Sequence, residues 1–294
     1  MRVLVYAAWL MALSSCEHVP HAARHTDCAS CHSTQAADWL DSRHAVAHSN
    51  AIFQRSWADT RDPWCLSCHL PDDGVSCATC HGAPAKTCAD CHEFDLPREL
   101  PNTPSGTLGQ STVSEWHASG ASAQGMDCID CHDPHRPRGG HDQGWVRDTI
   151  DVRVIGEGDS VRATLTASGI GHAFPTGDPF RRLQLTVCAD LSCARPIAQA
   201  SLHRSLKRTE RDGWILNQDT RIPPPTVGLR SARSLQLHAP DARAWRLSMH
   251  LTDPSHAAEL GEQAAYVVAN GAVERQQDAG GERPQATADT NSLR

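Results

Sequence analysis

Five copies of one pentapeptide constrain this chain more than any other feature. They are Cys28-Ala-Ser-Cys31-His32, Cys65-Leu-Ser-Cys68-His69, Cys77-Ala-Thr-Cys80-His81, Cys88-Ala-Asp-Cys91-His92 and Cys128-Ile-Asp-Cys131-His132. C-x-x-C-H is the signature of covalent haem attachment. Chemistry sets the spacing: two thiols reach the two vinyl groups along one haem edge, and the adjacent imidazole stands over one face as an iron ligand. With 13 Cys and 18 His in 294 residues, chance supplies roughly 0.03 copies of the motif. Zinc sites also use C-x-x-C pairs, but they do not require His after every second Cys. The expectation is five covalently bound haem c, attached through the ten motif cysteines and ligated by His32, His69, His81, His92 and His132.

Composition fits that expectation. The chain is 39% hydrophobic but only 5% aromatic, a thin supply for a protein core, and five apolar haem plates would make up the deficit. A formal net charge of −7 without any basic stripe excludes nucleic acid as a partner. Three cysteines lie outside the motifs: Cys16, Cys188 and Cys193. Residues 1–15, MRVLVYAAWLMALSS, place Arg2 before an apolar run and small residues before Cys16, the pattern of an export signal. Leu13-Ser14-Ser15-Cys16 resembles a bacterial lipobox, which implies a lipoprotein signal peptide and diacylation of Cys16; an ordinary signal peptide is the alternative. The run is too short to be a spanning helix. The reading is an exported bacterial protein, in the periplasm or at the cell surface, with residues 16–27 as a tether to its lipid anchor.

Beyond the first motif, residues 33–54 (STQAADWLDSRHAVAHSNAIFQ) show helical spacing, with Ser33 as the cap and His44 and His48 on one face. Trp39-x-x-Ser42-x-His44-Ala45 resembles the W-x-x-S-x-H-A helix of multihaem cytochromes related to the nitrifier tetrahaem cytochrome c, which implies that His44 is a distal haem ligand. Motif starts at 65, 77 and 88 leave little room for regular structure and force neighbouring haems together. Residues 95–110 read as a loop and 111–123 as a short helix. There Glu115-Trp116-x-x-Ser119, followed by Gly125 and the fifth motif, resembles a widespread group of exported multihaem cytochromes. The ligand of relatives would fall at Ala121; this chain offers His117 instead. His135 and His141 follow the fifth motif. Three residues span at most about 10 Å, so His135 cannot round the rim of the haem that His132 holds; as a ligand it serves another haem, and the same holds less strictly for His141. His25 and His48 stand in reserve.

At Trp145 the composition changes. Residues 148–168 alternate apolar and polar about Gly156-Glu-Gly-Asp-Ser160, a hairpin signal, and LQLTVCAD, RSLQLHA and LSMHLTD read as further strands. Residues 255–269 fit helix or strand equally, and the tail from Arg275 is polar. The predicted architecture is a multihaem cytochrome domain over 28–145, short helices and loops wrapped around haems, then an all-β sandwich-like domain over 146–274 and a disordered tail over 275–294. Cys188 and Cys193 bracket four residues at a strand junction, and an exported protein permits a disulfide between them. Gly171-His172-Ala-Phe-Pro175-Thr176-Gly177 resembles the G-H-x-x-P-T-G loop of the same multihaem group. That resemblance implies that His172 crosses the domain boundary to ligate a haem and dock the β-domain.

These features imply electron transfer by a membrane-anchored pentahaem c-type cytochrome rather than catalysis. Two imidazoles on one iron leave no position open for substrate. Redox partner proteins, within a periplasmic or outer-membrane electron-transfer complex, are expected. The alternative is an oxidoreductase acting on a small nitrogen or sulfur species at one five-coordinate haem. It would need a pocket of Lys, Arg, Tyr or His, and the chain has only Tyr6 and Tyr266 and no C-x-x-C-K site.

Overall fold

Each attachment motif folds as a single helical turn, for a reason written in the motif itself. The backbone N–H of the histidine donates to the carbonyl of the first cysteine at 2.9 Å in four motifs, at His32, His69, His92 and His132. This i to i+4 bond places the first thiol and the imidazole on one face of the turn. The residue before the second cysteine closes the turn in three motifs. Thr79 Oγ1 accepts from the N–H of Ser76 at 3.1 Å, Asp90 Oδ2 from Thr87 at 2.6 Å, and Asp130 Oδ2 from Asp127 at 2.6 Å. This is the back-reaching half of a capping box, built from residues that the attachment chemistry leaves free.

The structure, a computed structural model, describes residues 28–71, 74–95, 108–209 and 213–275. Cys16, His25, the signal and tether, most of the Pro- and Gly-rich loop and the tail beyond Arg275 lie outside the described residues. The first part contains α1 (Ser33–Leu40), α2 (Ala51–Thr60), α3 (Cys77–His81), α4 (Ala89–His92), β1 (Glu93–Asp95), β2 (Leu108–Ser111), α5 (Thr112–His117), α6 (Gly120–Ala123), α7 (Cys128–Cys131) and α8 (Gln143–Thr149). Two expectations need correction. Residues 33–54 do not form one helix: the chain leaves α1 after Leu40 and turns through 41–50. Asn50 accounts for the restart, because its side chain accepts from the N–H of Phe53 at 2.9 Å, and a strong cap competes with helix continuation. The cap of α1 is His32, not Ser33. Residues 112–123 likewise divide, since Ser119 accepts from Ser122 and begins α6 anew. The expected loop of 95–110 ends in strand, with β1 pairing β2 from Glu93↔Ser111.

The second part comprises β3 (Ile150–Glu157), β4 (Ser160–Ser168), β5 (Arg182–Cys188), β6 (Pro196–Leu202), β7 (Arg204–Thr209), β8 (Gly213–Asp219), β9 (Arg230–His238), β10 (Ala244–His250), α9 (Ala257–Leu260), β11 (Ala265–Ala272) and β12 (Glu274–Arg275). The expected hairpin turns at Gly158, whose φ of 62° suits glycine, and pairs Glu157↔Ser160. One sheet runs β12-β3-β4-β9, the other β11-β10-β5-β6, and β7 and β8 form a separate hairpin. Alternation decides what each sheet buries. Val161, Ala163, Leu165 and Ala167 of β4 share one core with Leu183, Leu185 and Val187 of β5 and with Leu247 and Met249 of β10. Residues 255–269 divide between α9 and β11. Arg275 closes the sheet edge beside Gly156 rather than opening the tail. Cys188 and Cys193 are joined by a disulfide, and the turn around them is tied by Asp190, whose carboxylate accepts from the N–H groups of Ala194 and Arg195.

The boundary at 145/146 is not a gap. Helix α8 spans it, capped by Asp142, which accepts from the N–H of Trp145 at 3.0 Å, and it runs directly into β3. Side chains also join the two parts. Arg55 of α2 pairs with Glu259 of α9, His256 Nε2 lies 2.8 Å from Asp59, and the Tyr266 hydroxyl donates to the carbonyl of Gly140 at 2.8 Å. The histidine-bearing loop at 169–177 is tied to α5 by Glu115, which accepts from Ala173 and Thr176.

Candidate haem-binding centres

The imidazoles of the first part come together in twos. His44 and His92 have ring centroids 6.3 Å apart, His81 and His135 6.3 Å, and His132 and His172 6.3 Å. An imidazole nitrogen bonds a metal at about 2 Å and its ring centroid lies ~1 Å further back, so two imidazoles on opposite sides of one metal stand about 6 Å apart. Each pair joins a motif histidine to one from outside any motif. The rings of the last two pairs are nearly parallel, at 12°, and those of the first are tilted by 36°. Among the described residues no three His, Cys, Asp or Glu side chains converge as a cage for a free ion. The arrangement fits a flat group ligated from both faces.

Backbone carbonyls aim several of these rings. His69 Nδ1 is 2.8 Å from the carbonyl of Ala47, and His172 Nδ1 is 2.9 Å from that of Ala173. With the proton on Nδ1 each ring donates there and presents the Nε2 lone pair outward, the usual arrangement around a metal-ligating histidine. At four of the six paired imidazoles burial favours the neutral form, which is the ligating one. It lowers His44, His132 and His172 below the ordinary value and, with His44 adding to it, brings His92 to about 4.

The thiols of different motifs adjoin one another. Cys68 lies against the fourth motif, its Sγ 3.9 Å from the Asp90 carbonyl, and charge on Cys28 would be felt at Cys77, and charge on Cys88 at both Cys80 and Cys128. The fourth motif therefore neighbours the second, third and fifth, and the first neighbours the third. Short links between motifs, noted above as a crowding constraint, produce a contiguous array.

The remaining candidates are placed less symmetrically. His48 directs Nδ1 to the carbonyl of His69 at 3.2 Å and packs against Phe53 and Trp57. Phe53 in turn stacks on His69 at 3.9 Å. His117 is exposed, with its ring 4.5 Å from that of Trp116. His141 is lowered to about 3 by burial, with Arg181 and Arg43 nearby. Ala121, where relatives of the resembled group would carry a ligand, is buried under the 169–177 loop. A Cβ on Gly171 would lie 3.0 Å from the Ala121 methyl, so this loop fills the space that a larger side chain at 121 would need.

Sequence reasoning missed Glu115. It was visible only as part of E-W-x-x-S, yet its carboxylate accepts from Arg221 at 2.6 Å, from Ser111 at 2.6 Å, from Thr176 at 3.0 Å and from the N–H of Ala173 at 3.2 Å. The four-residue Ser111-to-Glu115 spacing, which puts the two side chains on one face of a turn, was the available signal, but nothing local pointed to Arg221.

No family model matches the chain, and no curated protein matches its sequence. In structure it is similar to a penta-heme cytochrome c552 from Thermochromatium tepidum, with a TM-score of 0.63 at 19% identity over 86% of this chain and 99% of that one. The fold is accordingly that of a multihaem c-type cytochrome, with short helices in the motif-bearing part and a strand-rich second part.

Proposed function

We propose that the protein is a pentahaem c-type cytochrome that passes electrons along closely spaced haems, with a sandwich-like β-domain behind them. The observation that carries this reading is the set of three imidazole pairs at 6.3 Å. Haem c supplies a one-electron couple at each centre. The chain supplies the rest: the ten motif thiols hold five groups, and His44, His135 and His172 complete the centres of His92, His81 and His132. His117 and His141 are the proposed second ligands for His32 and His69, with His48 and His25 in reserve. Axial imidazoles on both faces leave no open site, and adjoining motifs keep the centres near one another. The intact mass of the mature protein is expected to exceed that of the polypeptide by five haems; four in a fully matured sample would overturn the count. Low-temperature EPR of the oxidised protein is expected to show low-spin signals.

A second reading rests on the surroundings of His141. Arg181 and Arg43 lie close enough to affect it, and the Tyr266 hydroxyl is bonded to the neighbouring residue, Gly140. Such a basic pocket beside an iron lacking its sixth ligand would suit a small nitrogen or sulfur anion. A high-spin EPR signal in the native protein would favour this oxidoreductase reading.

We further propose that the protein is exported and carried on a membrane by a lipid on Cys16, exchanging electrons with protein partners there. Cys16→Ser is expected to release it into the soluble fraction with its haem content unchanged. Retention on membranes after this substitution would refute the anchor.

A further inference from the structure

The loop that carries His172 is held from outside. Glu115 on α5 reaches beneath it, and its Oε2 accepts from the N–H of Ala173 at 3.2 Å and from Thr176 Oγ1 at 3.0 Å. Ala173 follows His172, and its carbonyl also takes the His172 Nδ1. The other oxygen of Glu115 accepts from Arg221 and from Ser111, each at 2.6 Å. The side chains of Glu115 and Arg221 are only 10% and 6% exposed. A buried carboxylate with four donors has little freedom to move.

The bonds continue to the neighbouring centre. Thr176 Oγ1 meets Thr112 Oγ1 at 2.9 Å, Gln110 donates to Thr112 Oγ1 at 3.0 Å, and the same Gln110 amide lies 3.1 Å from His92 Nδ1. A side-chain path thus runs from His92 in the fourth motif to the backbone beside His172, with Glu115 as its last side chain. It crosses from the motif-bearing part to the strand-rich part.

We propose that Glu115 is a positioning residue that sets the His172 loop against the fifth motif, so that the His172 imidazole meets His132 across one iron. This rests on the reading of His172 as a ligand. The physical reason is that His172 and His132 sit on different parts of the fold, and a shift of a few tenths of an ångström between those parts would weaken an axial bond. Groups bonded around a ligand are what fix its ring. Glu115 is two residues from His117 and thirteen from the first thiol of the fifth motif, so its carboxylate links the position of that segment to the loop.

The test uses full-length holoprotein carrying Glu115→Ala, Glu115→Gln, Thr176→Val or His172→Ala, compared by low-temperature EPR and by carbon monoxide binding after reduction. Glu115→Ala is expected to turn part of one low-spin signal, the one abolished in His172→Ala, to high spin and to admit carbon monoxide at that haem alone. Glu115→Gln keeps an acceptor oxygen for Ala173 and Thr176 and is expected to restore the wild-type signal. A role confined to general stability would leave that signal no more affected than the others. Folded Glu115→Ala protein with an unchanged spectrum overturns the proposal. Should Glu115→Ala fail to accumulate, Thr176→Val decides: a shift in the g-values of the same signal supports the proposal and an unaltered signal overturns it. If His172→Ala leaves the low-spin count unchanged, the ligand reading falls and the proposal falls with it. If His172→Ala removes one low-spin haem and Glu115→Ala affects none, the positioning role alone is refuted.

Discussion

Replacing His172 with alanine is expected to convert one low-spin haem to a high-spin haem that binds carbon monoxide when reduced. The expectation follows from the 6.3 Å separation and 12° tilt between the rings of His172 and His132, which leave room for one ligated metal and nothing else. Neither His44 nor His135 stands ready to replace it, because they face His92 and His81. His172→Met is expected to keep a sixth ligand while raising the potential of that centre, measurable by redox titration. An unchanged low-spin count in His172→Ala would make the 169–177 loop purely structural. The sequence suggested that this ligand docks the β-domain. Arg55–Glu259, Asp59–His256, Tyr266–Gly140 and the buried Glu115–Arg221 pair also join the two parts, so proteolysis after residue 145 is expected to change little in the variant.

The second large effect is expected at Arg221. Its guanidinium serves Glu115 at 2.6 Å, Asp219 at 2.7 and 3.0 Å and the carbonyl of Pro175 at 3.3 Å, with only 6% of the side chain exposed. Removing one partner of a buried ion pair typically costs about 3–5 kcal/mol, because the other charge is left without compensation. Arg221→Ala is therefore expected to lower the denaturant midpoint severely, and a loss below about 1 kcal/mol would refute the assignment of this network as buried and ionic. The effect should depend on pH. Burial alone would raise Asp219, but the bonds from Arg221 outweigh it and hold the carboxyl below its ordinary range. A depressed carboxylate stabilises the fold above its unfolded pKa of about 3.9 and loses that contribution as pH falls through the folded value. The deficit of the variant should accordingly be full above about pH 4 and should narrow in acid.

How much of this was legible follows from how local each signal is. The attachment motifs are read directly because covalent chemistry dictates both residue types and spacing within five positions. The strands β3, β4, β5, β9 and β10 are read from alternation, since Leu183, Leu185 and Val187 must all face one core. The helix expected over 33–54 fails because periodicity alone continues through Asn50, whereas the Asn50 side chain bonds the N–H of Phe53 and starts a new helix. Pairing of the imidazoles is not local at all. Chain reach excluded His135 from the haem of its neighbour His132, but only the fold could match it with His81. Glu115 was missed for the same reason: its partner Arg221 stands at the start of the segment that follows β8, in the other part of the molecule, and no spacing rule connects them.

The three imidazole pairs also bear on how the chain unfolds. A bond between two distant residues closes the segment between them and restricts the unfolded ensemble. Under the proposed ligation the closed segments would be 44–92, 81–135 and 132–172. They overlap in series, for residue 81 lies inside the first, residue 132 inside the second, and residue 135 inside the third. Because the segments overlap, each closure also shortens the chain available to the next. If irons join the three pairs as proposed, residues 44–172 would unfold together, the first hairpin of the strand-rich part included, and the unfolding boundary would fall beyond the compositional boundary at Trp145.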